Sequence, residues 1–253
     1  MWTIDTTKGV QSRFTSDEGL DTYPIWSPDR RWLAFGSTRK KGVYDLYRKL
    51  SVNAGPEEFL FDSAQPKFPA DWSSDGKFIL YRENDQKNGY DLKALPMSGD
   101  NKTSVPIATS SFDEREGQFS PDVQWVAYTS NISGLMQVYV EPFGRQGGKQ
   151  QISTDGGTQP RWRHDGKEMF YIAPDNALMS VSIKVSPDGQ SLDTGTPVPL
   201  FRTHLSSSAY VANPKQQYVV SQDGQRFLMV ISPEDATPSP ITVILNWRPE
   251  RGK

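Results

Sequence analysis

Apolar and polar positions along this chain alternate in short runs of four to eight residues, with period two, and turn residues separate the runs. One arrangement of runs keeps returning. A stretch beginning Trp26-Ser27-Pro28-Asp29 and continuing through Trp32-Leu33-Ala34-Phe35 recurs as Trp72-Ser73-Ser74-Asp75-Gly76 before Phe78-Ile79-Leu80-Tyr81. It returns at Phe119-Ser120-Pro121-Asp122 before Trp125-Val126-Ala127-Tyr128, at Trp162-Arg163-His164-Asp165-Gly166, and in degenerate form at Val220-Ser221-Gln222-Asp223-Gly224. The five aspartates lie 46, 47, 43 and 58 residues apart. A period in the forties belongs to propeller blades or to helical repeats.

The turn chemistry separates the two. Proline presets φ, aspartate bonds nearby amides and glycine takes the geometry that follows, so each motif predicts a β-hairpin where a helical repeat would need a continuous helix. A third run follows each hairpin (Tyr44 to Tyr47, Tyr90 to Lys93, Gln137 to Val140, Leu178 to Val181), and then a fourth (Glu58 to Phe61, Val105 to Ala108, Gln150 to Ser153, Val198 to Phe201). Four strands in forty-odd residues predict an all-β chain built as a β-propeller of four-stranded blades. Met1 to Asp5 and Ser12 to Thr15 read as the outer two strands of a blade, and Tyr218 to Val220, Arg226 to Val230 and Ile241 to Leu245 as the inner three of another. The expected count is six blades with the first truncated, the alternative being five blades plus an extra strand. A single propeller domain over 1–253 is expected, as a partial blade 1–18 and blades at about 19–62, 63–110, 111–154, 155–204 and 205–253. Such a start in mid-blade suggests a piece of a longer protein.

Loops are expected at 40–42, 84–89, 110–117, 144–148 and 232–240. The last carries three prolines and is the least able to order itself. The soft stretch Ser206 to Ala209 accounts for the long fourth step. Two turns lack glycine, where Arg30 and Val123 follow the aspartates, and a type I turn tolerates this because its central positions need no positive φ. Trp26, Trp72, Phe119 and Trp162 are expected to be buried at equivalent places between blades.

Composition changes the picture mainly by exclusion. The balance of 28 basic against 30 acidic residues gives no electrostatic footprint for nucleic acid. No apolar run approaches a membrane span, and the amino terminus lacks the layout of a signal peptide, so no membrane insertion is expected. Zero cysteines removes disulfides and thiolate metal sites, and fits more than one compartment.

The Trp-Ser-Pro-Asp-Gly turn with its apolar strand and the later Tyr-Asp-Leu-Tyr resembles the TolB-type, WD-like propeller repeat over nearly the whole chain. More narrowly, Gly42 to Tyr47, Gly89 to Leu92, Gln118 to Asp122, Val138 to Phe143 and Pro240 to Trp247 are similar to the carboxy-terminal propeller of bacterial membrane-anchored serine/threonine kinases. That resemblance implies a periplasmic or otherwise extracytoplasmic sensing or scaffolding module whose kinase lies elsewhere on the polypeptide.

Candidate chemistry is sparse. The repeat aspartates Asp29, Asp75, Asp122, Asp165 and Asp223 read as turn residues, and His164 and His204 have no ligand partner at metal spacing, so neither metal nor cofactor is expected. No Gly-x-Ser-x-Gly elbow occurs, and the glycines of 144–148 lack phosphate-loop spacing, so the chain is expected not to be an enzyme. The charged run 112–117 reads as a solvated face. The segment before each repeat aromatic leads into the innermost strand, which edges a propeller's channel. Its polar residues, Tyr23, Lys67, Asp71, Arg115, Glu116, Gln118, Gln159 and Arg161, are the ligand-binding candidates, for a protein or peptide partner, in a chain expected to be monomeric. Their alternative is to pair with one another. The competing functional reading is the regulatory propeller of a prolyl-oligopeptidase-like serine peptidase, which would need a hydrolase domain beyond Trp247. A propeller lyase would need a metal or base constellation.

Overall fold

Four of the five repeat hairpins share one hydrogen-bonded turn built on the motif serine and aspartate. Ser73 Oγ donates to Asp75 Oδ1 at 2.7 Å, the same carboxylate accepts from Lys77 N, and Phe78 N donates back to Ser73 Oγ at 2.9 Å. The set repeats at Ser27, Asp29 and Trp32, at Ser120, Asp122 and Trp125, and at Ser221, Asp223 and Arg226. In the fourth turn Arg163 replaces the serine and grips Asp165 through Nε and Nη2. The residue after the aspartate donates its N–H to the carbonyl three positions back in all five turns, and it does so with positive φ. Gly76, Gly166 and Gly224 take that conformation easily. Arg30 (φ 59°) and Val123 (φ 57°) take it too, so this slot, which follows the two central turn positions, demands the left-handed region whatever residue fills it.

The computed structural model describes residues 1–40, 42–52, 55–85, 89–99, 103–187, 189–205, 216–231 and 243–244. Among them the chain is all-β and forms six antiparallel sheets, the first of two strands and the last of three. By contact it divides into two compact units, Met1–Ser111 and Phe112–Lys253. The division falls between the second and third repeat sheets.

The first unit holds β1 (Trp2–Ile4) with β2 (Gln11–Arg13), then the sheet of β3 (Asp21–Trp26), β4 (Trp32–Ser37), β5 (Asp45–Leu50) and β6 (Glu58–Phe61). Its third sheet runs β7 (Lys67–Trp72), β8 (Phe78–Asp85), β9 (Gly89–Pro96) and β10 (Val105–Ala108). The second unit opens with β11 (Glu114–Phe119), β12 (Trp125–Ser130), β13 (Gln137–Pro142) and β14 (Gln150–Gln151). Next come β15 (Thr158–Trp162), β16 (Glu168–Ile172), β17 (Ala177–Val185), β18 (Leu192–Thr194) and β19 (Val198–Arg202), and then β20 (Tyr218–Val220), β21 (Phe227–Met229) and β22 (Val243–Ile244).

Within each unit, sheets stack through apolar faces. Ala34, Leu46 and Leu60 of one sheet meet Trp72, Ile79, Tyr81 and Leu95 of the next. Trp125, Ala127, Val138, Val140 and Ile152 meet Trp162, Met169, Tyr171 and Val181. The second strand of a sheet is covered on both faces, which is why β12 is buried at every position and reads as a nearly continuous apolar run.

Four expectations need correction or completion. Trp26 is 54% exposed, whereas Trp72, Phe119 and Trp162 are buried. Trp72 and Trp162 each pack on the four-stranded sheet that precedes them in their own unit, whereas the sheet before Trp26 is only β1 and β2. The expected loop 110–117 is half strand, since β11 starts at Glu114 and is not a solvated face: Glu114, Arg115 and Glu116 are all buried. The expected loop 84–89 shrinks because β8 and β9 pair out to Asp85 and Gly89. The fourth repeat carries a strand that the sequence reading lacked, β18, paired with the far half of β17. The soft stretches 206–209 and 232–240 lie outside the described residues. Among the described residues, no helix is long and apolar enough to cross a membrane.

Candidate functional site

The polar candidates before each repeat aromatic are not lead-in segments; they are the inner strands themselves. β3, β7, β11 and β15 each carry one extra residue relative to their partner strand, with register shifts at Thr22/Ile25, Pro69/Asp71, Arg115/Gln118 and Thr158/Arg161. In three of the four, the residue three before the aromatic is left-handed and is not glycine: Tyr23 (φ 52°), Glu116 (φ 56°) and Gln159 (φ 56°). Proline at the fourth, Pro69, forbids positive φ. A left-handed non-glycine residue costs about 1–2 kcal/mol, so surrounding contacts must hold it. The bulge re-aims its side chain out of the strand's alternation.

In the second unit those side chains hold sheets together. Glu116 Oε2 accepts from Thr129 Oγ1 at 2.8 Å within its own sheet and from Gln159 N at 2.7 Å in the next. The Gln159 amide reaches one sheet further, donating to Gln217 Oε1 and accepting from Gln217 N, both at 2.9 Å. Tyr218 donates its hydroxyl to Gln159 O at 2.8 Å. Gln118 Oε1 accepts from Trp162 N at 2.7 Å. Arg115 donates to Asp113 Oδ2 and Arg161 Nη1 to Pro160 O. Thus Glu116 and Gln159 come together in one buried chain of bonds across three sheets, strengthened by low local dielectric, while the half-buried Gln118 makes a separate bond between the first two of them.

In the first unit the candidates separate. Lys67 is fully buried, with Nζ donating to Asp45 Oδ1 at 3.2 Å and to the carbonyls of Ser63 and Gln65. Asp71 is half-buried opposite Leu80. Tyr23 belongs to a different cluster, a rosette of rings around the buried Arg82. The Arg82 guanidinium carbon stands 4.9 Å from the Tyr23 ring centre, 5.2 Å from Phe68 and 4.7 Å from Tyr90, and Nη2 donates to Tyr23 Oη at 2.7 Å. Phe68 is the hub, 5.1 Å from Tyr23, 5.0 Å from Tyr44 and 6.4 Å from Tyr90. Burial pushes the Tyr23 phenol above its ordinary pKa even though Arg82 opposes the shift, so it stays a neutral donor and acceptor. Tyr23, Tyr44 and Tyr90 are half-buried. Sequence reasoning took Tyr23 alone from this group. The available signal was a tyrosine just after a glycine, at the start of the third run in successive repeats, as in Gly42-Val43-Tyr44 and Gly89-Tyr90.

The repeat aspartates are turn residues as expected, and hydrogen bonds from the turn hold the carboxyls of Asp29 and Asp223 below their ordinary range. Asp165, gripped by Arg163, falls to about 2. His164 and His204 are exposed, and no group of three or more potential metal ligands occurs among the described residues.

No family model matches the chain. A curated relative, the uncharacterized peptidase YuxL of Bacillus subtilis, is 26% identical over 166 residues. That alignment takes in 53% of this chain and 25% of the relative, and a second curated relative is spanned over 46% of its length. Among solved structures, TolB from Acinetobacter baumannii superposes with a TM-score of 0.65 at 18% identity, covering 90% of this chain and 52% of that one. The fold is a β-propeller. An oligogalacturonate lyase in complex with manganese superposes with a TM-score of 0.66 at 12% identity, covering 98% of this chain and 71% of the lyase. At these identities the likeness carries the propeller architecture alone.

Proposed function

We propose that this propeller is a non-catalytic binding module that engages a protein or peptide partner through the tyrosine rosette of its first unit. The observation that carries the reading is the set of three half-buried tyrosines, Tyr23, Tyr44 and Tyr90, fixed around Arg82 and Phe68. Tyrosine and arginine dominate the energetic centres of protein interfaces, because they offer large rigid contact area with few rotamers to freeze. Arg82 and Phe68 are buried and hold the rings, so little ordering is left to be done on binding. On the kinase-like and TolB-like motifs, the module serves as an extracytoplasmic sensor or scaffold within a larger polypeptide. The inner-strand candidates of the second unit act as the bonds that hold its sheets in register.

Peptides selected against the full chain from a random library test this reading. Their affinity should fall by about tenfold or more in Tyr44→Ala and in Tyr90→Ala, with the circular dichroism spectrum unchanged. Selected peptides that bind both variants as tightly as the wild type would move the site elsewhere.

A second reading has one observation in its favour, the curated relative named as a peptidase. It makes this propeller the regulatory part of a serine peptidase. Under that reading the selected peptides are substrates of a partner domain. Under ours, they remain intact in the presence of the longest natural polypeptide that contains this chain.

A further inference from the structure

The second unit contains a cleft of about 530 Å³ over the adjacent turns of β11–β12 and β15–β16. Its volume lies within the range of small-molecule sites. Trp125, Trp162, Ile183 and Leu192 form a buried apolar floor, and the exposed Val185 stands at its edge. The far wall is the hairpin of β17 and β18, an addition the other described sheets lack. That wall is pinned. Ile183 N donates to Lys167 O at 2.8 Å, Gln150 Nε2 to Leu192 O at 2.8 Å and Arg145 Nη1 to Gln190 Oε1 at 3.2 Å.

We propose that this cleft binds a small monocarboxylate with an aliphatic or aryl body. The apolar floor takes the body. Charge decides the head group. Asp122 and Asp165 line the cleft, but Asp122 Oδ1 accepts from Ser120 Oγ and Gln124 N, and both oxygens of Asp165 are held by Arg163. Lys167 and Lys184 also line it, both exposed, and neither has a carboxylate within ion-pair distance among the described residues. A third cation, Arg145, stacks over the Trp125 ring at 4.4 Å. Lys167 acts on Asp165 only at longer range and Lys184 faces Asp193 across the strands, so neither lysine is held in a close ion pair, and cations left so beside an apolar floor complement an anion carried on an apolar body.

The indole of Trp162 adds a second mark. At the equivalent position Trp72 Nε1 donates to Gly76 O at 3.2 Å, within its own turn. Trp162 Nε1 is buried and has no acceptor among the described residues, although Gly166 holds the matching place in its turn. A buried donor left this way destabilises the fold unless something accepts from it. The Trp162 ring lines the cleft, so its indole resonance reports occupancy.

The test is a titration of the full chain, labelled with ¹⁵N at tryptophan, with octanoate and, separately, with the uncharged octanamide. Trp162→Phe assigns the Trp162 indole signal. Octanoate should shift the Trp125 and Trp162 signals saturably, octanamide should bind about tenfold more weakly, and Lys167→Ala/Lys184→Ala should lower octanoate affinity by a similar factor at an unchanged melting temperature. Both lysines are exposed, so the double variant should fold. The proposal is overturned if octanoate produces no saturable shift, if acid and amide bind equally, or if the double variant binds octanoate as the wild type does.

Discussion

Individual residues show where the chain departs from its own repeat. Val123 sits at φ 57° in a turn slot that glycine fills in three of the five copies. A β-branched residue there is strained by about 1–2 kcal/mol, against which glycine's extra freedom in the unfolded chain costs about 0.5–1 kcal/mol. Val123→Gly should therefore raise stability by up to about 1 kcal/mol, seen as a higher urea midpoint at constant slope. A lower midpoint would mean that the half-buried valine contributes more by packing than it loses in strain. Glu141 makes a second residue-scale prediction. Burial pushes its carboxyl up to about 7, against the hydrogen bond from the Tyr128 hydroxyl at 3.2 Å. Because the folded value lies above the ordinary 4.5, the folded state holds the proton more tightly than the unfolded chain does. The resulting stability is complete at acid pH and is lost as pH rises through about 7. Melting temperature should fall less between about pH 5 and about pH 8 in Glu141→Gln than in the wild type. Equal falls in the two proteins would remove Glu141 as the cause.

At the scale of strands and sheets, the repeat was legible because its turn chemistry is local. Serine and aspartate make their bonds within five residues, so the motif alone specifies the hairpin whatever surrounds it. Features that depend on neighbours were not legible. The charged run Glu114-Arg115-Glu116 looked like a loop because nothing in it reveals that Thr129 and Gln159, 13 and 43 residues further on, will meet the Glu116 carboxylate. Trp26 and Trp72 occupy the same motif position yet differ in exposure, 54% against 8%, because burial depends on the preceding sheet. Truncation should separate them. Trp72→Ala should cost about 3–5 kcal/mol, the range for a large aromatic in a packed core, whereas Trp26→Ala should change stability by about 0.5 kcal/mol or less. Chemical denaturation of the two variants measures both, and equal losses would contradict the sheet-stacking assignment.

Across the whole molecule, the candidate site was legible in part. The sequence reading chose inner-strand polar residues by position, and that position proved to be special: Tyr23, Glu116 and Gln159 share the same bulge and the same left-handed backbone. What each does depends on its neighbours in space. Glu116 and Gln159 find amides and become structural, while Tyr23 finds Arg82 and Phe68 and joins a partly exposed cluster. The near-neutral balance, a formal −2, gives no long-range steering, so the proposed recognition rests on surface chemistry at short range. Hydrogen exchange of the full chain with and without a selected peptide tests that account most directly. Protection should appear in the strands and turns carrying Tyr23, Tyr44 and Tyr90, with the peptide recovered intact. Protection confined to other segments, or a cleaved peptide, would contradict a binding module centred on the rosette.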